Sequence, residues 1–257
     1  MLAAIQSQKF YNNYLNGNIA FGCGYKAARA IESKANMAVE LEEEAQKSLH
    51  YCLNYFARDY KQNRFVNFEE LKNAGIPNLK LIFDKGLRGE TLSSPKNDRY
   101  LKLIKKCGVD TVIDLRGADY TPKYKEKCDK LDLRYVHFPL DKDKIFDRLI
   151  LDNMPELFEV LEKGKYYISC AQGLHRTDIA LAINYVFNPK QKVPPIMEGH
   201  KKGNLVDLAD INRRLNSLYK AMTPEDKIKF GWDESYEAEF LRKKRVLRTY
   251  NETVQRH

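Results

Sequence analysis

The chain has 257 residues, enough for one large domain or one domain with substantial extensions, and enough to bury a core without metals or disulfides. Apolar residues make up 43% and charged residues 31%, the balance of a soluble globular protein, and no apolar run reaches membrane-spanning length. The formal charge of +9 favours polyanionic or phosphorylated partners through long-range attraction. The opening residues lack the basic-then-apolar layout of a signal peptide. The five cysteines (Cys23, Cys52, Cys107, Cys128, Cys170) include no CxxC pair, so neither a zinc site nor a disulfide framework is indicated. A soluble, cytoplasmic protein with reduced thiols is the simplest expectation.

In chain order, residues 1–77 read as a helical extension. Ala27 to Lys61 is rich in Ala, Glu, Leu and Lys, and the acidic cluster Glu40, Glu42, Glu43, Glu44 reads as a solvated face. From 78 to 190, strands alternate with helices. Leu79–Phe83 is a candidate strand, and Ser94-Pro95 reads as a helix start that Gly108 ends. Val109–Leu115 and Leu133–Leu140 read as strands, and Phe146–Lys163 as a helix with apolar residues at three- and four-residue spacing. Lys165–Ser169 is a short strand, and Arg176–Phe187 a strongly apolar helix. This alternation predicts an α/β fold with a central, mostly parallel sheet flanked by helices. Residues 191–257 form a further helical extension: Leu208, Ile211, Leu215, Leu218 and Met222 share one helical face, Thr223-Pro224-Glu225-Asp226 reads as a capped start, and the basic tail from Ser235 reads as a solvated helix. Trp232 reads as a packing residue.

The chemistry concentrates in Ile168-Ser169-Cys170-Ala171-Gln172-Gly173-Leu174-His175-Arg176-Thr177, where five residues separate a cysteine from an arginine between a strand and a helix. A bare pair at that spacing is weak evidence, but the strand–loop–helix context strengthens it. A loop entering a helix N-terminus presents unpaired N–H groups and the positive end of the helix dipole to an anion. The same field stabilises a thiolate, whose pKa falls from about 8.5 toward roughly 4–7 in such places. Gly173 allows the backbone to curl around the anion. Arg176 can bind two phosphate oxygens with its planar fork, and Thr177 can donate a hydrogen bond to the sulfur.

Cys170 to Thr177 resembles the signature loop of the cysteine-dependent protein tyrosine phosphatase superfamily, in particular its dual-specificity branch, over roughly Leu79 to Asn188. The resemblance implies a phosphatase-like α/β domain in which Cys170 attacks phosphorus and Arg176 binds the phosphoryl oxygens. It implies that the backbone of Ala171, Gln172, Gly173, Leu174 and His175 lines the anion, and that Thr177 helps the second step. Two residues depart from the family pattern. Ser169 stands where a thiol-tuning histidine is usual, and Asp178 replaces a glycine, where its carboxylate is expected to weaken anion binding slightly. The family also places a general acid after the strand preceding the long helix. Asp141 is favoured for that role and Asp143 is the alternative, while Asp147 fits a helix cap better. Asp114 and Arg116 resemble a segment supporting the site, and His137 reads as a satisfied core histidine. Lys142 and Lys144 are candidate phosphate contacts. Cys107 and Cys128 read as one buried small residue and one surface thiol.

The expected reaction is phosphomonoester hydrolysis through a phosphocysteine, with a phosphorylated protein as substrate and phosphotyrosine or dual specificity as the leading class. Phosphoinositides, inositol phosphates and RNA 5′-phosphates are alternatives that the positive charge would suit, as is contact with anionic lipid. A non-catalytic phosphate-binding module and a rhodanese-like sulfur transferase remain further readings. The mechanism calls for no cofactor and no metal.

Overall fold

In the computed structural model, residues 65–254 are described apart from 84, 118–120, 142–147 and 202–207, together with isolated helical positions at 39, 40, 43 and 47. The rest of the helix expected over Ala27–Lys61, and the candidates Lys142, Asp143, Lys144 and Asp147, lie outside the described residues.

The elements run α1 (Phe68–Asn73), β1 (Lys80–Ile82), β2 (Gly86–Glu90), α2 (Asp98–Lys106), β3 (Thr111–Asp114), α3 (Thr121–Asp129), β4 (Arg134–His137), α4 (Arg148–Lys163), β5 (Tyr166–Cys170), α5 (His175–Phe187), α6 (Glu198–Lys201), α7 (Leu208–Ala221), α8 (Pro224–Lys229) and α9 (Tyr236–Val254). The five strands form one sheet in the order β1-β2-β5-β3-β4, with β1 antiparallel to β2 and every other pair parallel. The mostly parallel sheet flanked by helices is the architecture that the alternating pattern predicts.

Side-chain alternation along each strand divides the core between the two faces. On one face Ile113, Val136 and Ile168 pack with α4, α5 and the C-terminal helices. On the other, Leu87, Val112 and Tyr167 pack with α2 and α3. β5 lies between β2 and β3 and is buried throughout. Such a strand needs no polar alternation, which is why Tyr-Tyr-Ile-Ser-Cys suits it.

Two elements were not legible as sequence. β2 reads Gly-Leu-Arg-Gly-Glu, with two glycines and two charges in five residues. Each feature argues against a strand on propensity, and tertiary pairing overrides both. α3 reads Thr-Pro-Lys-Tyr-Lys-Glu-Lys-Cys-Asp, with too few apolar positions for a clear period. Boundaries elsewhere shift by a few residues. Ser94-Pro95 opens a short 3-10 turn (Pro95–Asn97) that leads into α2, and Gly108 closes α2 at φ 99°.

The C-terminal helices share the larger core rather than standing apart from it. α8 begins with the expected cap: the Thr223 hydroxyl accepts from the Asp226 N–H, and the Asp226 carboxylate accepts from the Thr223 N–H. Trp232 packs at 5.9 Å from Phe187 and 4.6 Å from Tyr236. α9 differs from the solvated helix expected. Tyr236, Phe240, Lys243, Val246, Leu247 and Tyr250 are buried along it. The reason lies at the C-terminal end of α5, where a helix leaves carbonyls without intrahelical partners. Tyr236 Oη donates to the Val186 carbonyl at 3.1 Å, and Trp232 Nε1 donates to that of Phe187 at 2.8 Å. Lys243 Nζ donates to the carbonyls of Asn188 and Gln191, both at 2.8 Å, and to Tyr236 Oη at 3.0 Å. A cation at this end of a helix also opposes its negative pole.

Burial pushes the Lys243 ammonium down to about 7, outweighing the pull of the Glu239 carboxylate. Between that value and the ordinary lysine range, the unfolded chain holds a proton that the native state has released. Stability therefore rises with pH there, by about 1.4 kcal/mol per pH unit near the middle of the window. Denaturant unfolding from pH 7 to 9 should show that rise, and Lys243→Met should flatten it while lowering stability through two stranded carbonyls.

Candidate active site

β3, β4 and β5 are parallel, so their C-terminal ends share one sheet edge, the edge at which ligands bind in open α/β sheets. Cys170 ends β5 there, and the four residues Ala171–Leu174 lead into α5. The loop and the residues after it form the segment that the sequence singles out.

The loop's shape is set by what holds its carbonyls. Arg88, on β2, donates from Nε and Nη2 to the Gly173 carbonyl at 3.0 and 2.9 Å, and from Nη2 to the Leu174 carbonyl at 3.0 Å. Asn78 Nδ2 donates to the Gln172 carbonyl at 2.9 Å. Among the described residues, no main-chain acceptor takes the N–H groups of Ala171, Gln172, Gly173 or Leu174. Three successive carbonyls are thus fixed by donors from outside the loop.

Gly173 is required at its position. Its φ is +69°, and a Cβ there would sit 2.1 Å from the Gly89 carbonyl oxygen and 2.2 Å from its carbon. Gly89 in turn admits the Tyr167 hydroxyl, which would lie 2.4 Å from a Cβ on residue 89. Two glycines facing each other let the loop rest directly on β2.

Asp178 does not act on the anion side as the sequence suggests. Its carboxylate is fully buried and pairs with Arg88 at 2.6 Å. It also accepts from the N–H groups of Glu198 and Gly199 at 3.3 and 2.8 Å. Burial pushes this carboxyl up, while Arg88 and the two amides pull it back. The departure from glycine therefore supplies the counter-charge for the arginine that shapes the loop. Arg88 is the site residue that sequence reasoning missed. Its one signal, an arginine flanked by Leu and Gly, carries weight only once β2 is known to adjoin β5.

Cys170 is 3% exposed, and the fully buried Thr177 hydroxyl donates to its sulfur at 3.7 Å. Arg176 is partly buried in the first turn of α5, and among the described residues no side chain pairs with its guanidinium. Arginines 88, 116 and 214, by contrast, are committed to carboxylates. Ser169 faces away from Cys170 by strand alternation, and its buried hydroxyl lies on the side of the buried Tyr124 hydroxyl. It lies opposite Asp114 in the sheet.

Asp114 and Arg116 form a buried pair at 2.7 Å. Asp114 also accepts from Tyr135 Oη at 2.9 Å, and Arg116 donates to Ser93 Oγ at 2.8 Å. His137 Nε2 lies 2.7 Å from the Arg116 carbonyl. This network stiffens the sheet edge beside the loop. Asp141 follows β4 at that edge; it is exposed, and its carbonyl accepts from Arg214 Nη1 at 3.2 Å. His175 is partly buried with Nε2 3.9 Å from Asp210. Gln172 is exposed.

One thiol expectation needs correcting. Cys107 and Cys128 are both buried, within the cluster on the face opposite Cys170, because α2 and α3 turn them onto the sheet. Burial raises both thiols, that of Cys128 to about 12.

Gly173→Ala is expected to destabilise the fold by roughly 2–4 kcal/mol through the clash with Gly89 and the strained φ, measured by denaturant unfolding. An alanine variant as stable as the natural protein would mean that the loop does not rest on β2 as described.

No family model matches the chain, and no curated protein matches it. Among solved structures, a phosphatase candidate of the DUF442 type from Shewanella putrefaciens CN-32 is 16% identical over 68% of this chain and 99% of its own, with a TM-score of 0.40. TpbA from P. aeruginosa is 18% identical over 57% of this chain and 86% of its own, at 0.37. The Yvh1 phosphatase domain from Chaetomium thermophilum is 12% identical over 66% of this chain and 94% of its own, at 0.30. At this distance the likenesses carry no argument about activity, which has to come from the site itself.

Proposed function

We propose that the chain is a cysteine-dependent phosphatase whose catalytic domain spans about 78–190, between helical extensions 1–77 and 191–257. The observation that carries this reading is the Thr177 hydroxyl on the Cys170 sulfur, at the mouth of a loop in which the carbonyls of Gln172, Gly173 and Leu174 are turned to donors outside it. A thiol in that position meets N–H groups that no main-chain acceptor takes among the described residues, and the N-terminus of α5, the 13-residue helix that follows.

In the proposed reaction the Cys170 thiolate attacks phosphorus, a sulfur–phosphorus bond forms, and the bond to the leaving oxygen breaks. The amides of Ala171, Gln172, Gly173, Leu174 and His175 and the Arg176 guanidinium hold the phosphoryl oxygens as charge redistributes among them. Asp141 gives its proton to the leaving oxygen. Water then attacks the phosphocysteine, with the same carboxylate accepting its proton, and the bond to sulfur breaks. Thr177 stabilises the departing thiolate by the hydrogen bond it already makes. Asp143 is the alternative acid.

The favoured substrate is a phosphorylated protein, with phosphotyrosine first and dual specificity included. The +9 charge supports phosphoinositides, inositol phosphates or RNA 5′-phosphates as the second class. The free thiols Cys107, Cys128 and Cys170 suit a reducing, cytoplasmic setting.

Hydrolysis of an aryl phosphate should vanish in Cys170→Ser, and survival of activity there would overturn the assignment. Thr177→Val should leave the first step nearly intact and slow the second. A burst of aryl alcohol followed by a steady rate about tenfold lower is the expected trace. Asp141→Asn should lower kcat/KM by on the order of a hundredfold for an unactivated ester and remove the alkaline limb of the pH–rate profile. A panel of phosphopeptides and phosphoinositides separates the two substrate classes.

A further inference from the structure

α7 touches both parts of the proposed site through one cluster of charges. Arg214 is 5% exposed although it carries a full charge. One edge of its guanidinium donates from Nε to Asp210 Oδ2 at 3.1 Å, and Nη1 reaches the Asp141 carbonyl at 3.2 Å, 73 residues away in the chain. Asp210 is itself shared. Its Oδ1 accepts from Arg213 at 2.5 Å, and its Oδ2 lies 3.9 Å from Nε2 of His175, the first residue of α5. Burial pushes the Asp210 carboxyl up, but Arg213 and Arg214 outweigh it and hold it below the ordinary carboxylate value. The carboxylate thus stays ionised and keeps Arg214 in one orientation.

We propose that Arg214, fixed by Asp210, is a positioning residue for the general acid: it sets the main chain at Asp141 relative to the Cys170 loop. The proposal rests on the phosphatase reading above. It assigns the C-terminal extension a part in the reaction. Proton transfer succeeds only within hydrogen-bond reach of the leaving oxygen, so an error of about 1 Å in the main chain at Asp141 matters for that step. The attack by sulfur depends instead on the loop that Arg88 shapes. A planar fork suits the task because it meets a carboxylate and a carbonyl at once, which a lysine ammonium on a flexible stem does less well. Among the described residues, Arg213 is the other permanent cation on Asp210 and favours its ionised form, while His175 adds to this only when protonated. The anchor should hold wherever Asp210 has lost its proton.

The test compares two esters that differ in their need for an acid. Phenyl phosphate needs a proton on its leaving oxygen as the bond to phosphorus breaks; dinitrophenyl phosphate releases a stable anion and scarcely needs one. For Arg214→Met, kcat/KM should fall on the order of tenfold to a hundredfold on phenyl phosphate and about threefold or less on dinitrophenyl phosphate. Added to Asp141→Asn, the same change should cost little more on phenyl phosphate, since the group it positions is already gone. Arg214→Lys should give an intermediate ratio between the esters. If Arg214→Met does not fold, Arg214→Lys alone decides by that ratio. Equal losses on both esters, or a full further loss in the Asp141→Asn background, would overturn the assignment of Arg214. A natural protein that hydrolyses neither ester would instead remove the phosphatase reading itself.

Discussion

The site depends on one buried ion pair. Arg88 and Asp178 meet at 2.6 Å, 2% and 0% exposed, where neither charge would be tolerated alone. Each also does what a hydrophobic pair could not. Arg88 also donates from Nε and the shared Nη2 to the carbonyls of Gly173 and Leu174, and Asp178 accepts from two main-chain amides at the start of α6. The pair therefore joins a sheet strand, the loop, the helix after it and a later segment at a single point. If the loop carbonyls were released, the loop would lose the contacts that fix its shape.

A second constraint follows from α5. The helix proposed to hold an anion at its N-terminus has a C-terminus to satisfy as well. Here the last carbonyls are taken by Trp232, Tyr236 and Lys243, all from the chain beyond residue 230. The C-terminal helices are thus bound to the helix that carries the loop by polar contacts as well as by the shared core. Once they are held there, α7 has little freedom, and Arg214 arrives beside Asp141. Packing at one end of α5 and geometry at the other are linked through a rigid helix.

Much of this was readable in one dimension. The order of strands and helices, the parallel sheet, the cap at Thr223 and the segment Cys170–Thr177 all follow from local patterns: apolar spacing, turn residues, and a cysteine and arginine around a glycine. Local signals fail where pairing, not propensity, decides. β2 has the composition of a turn and becomes a strand because β1 and β5 supply its hydrogen bonds. Cys128 and Lys243 read as surface residues and are buried, since the faces of α3 and α9 are chosen by what they cover.

The sequence alone determined the chemical alphabet of the site, because a thiol, a guanidinium fork and a hydroxyl seven residues past the cysteine lie within one turn-and-helix of chain. Only the tertiary structure decided what shapes that segment. Arg88, Asn78 and Arg214 come from 85, 94 and 73 residues away from the groups they hold. Their value depends on being within about 3 Å of particular carbonyls, and no spacing along the chain encodes a distance across a fold.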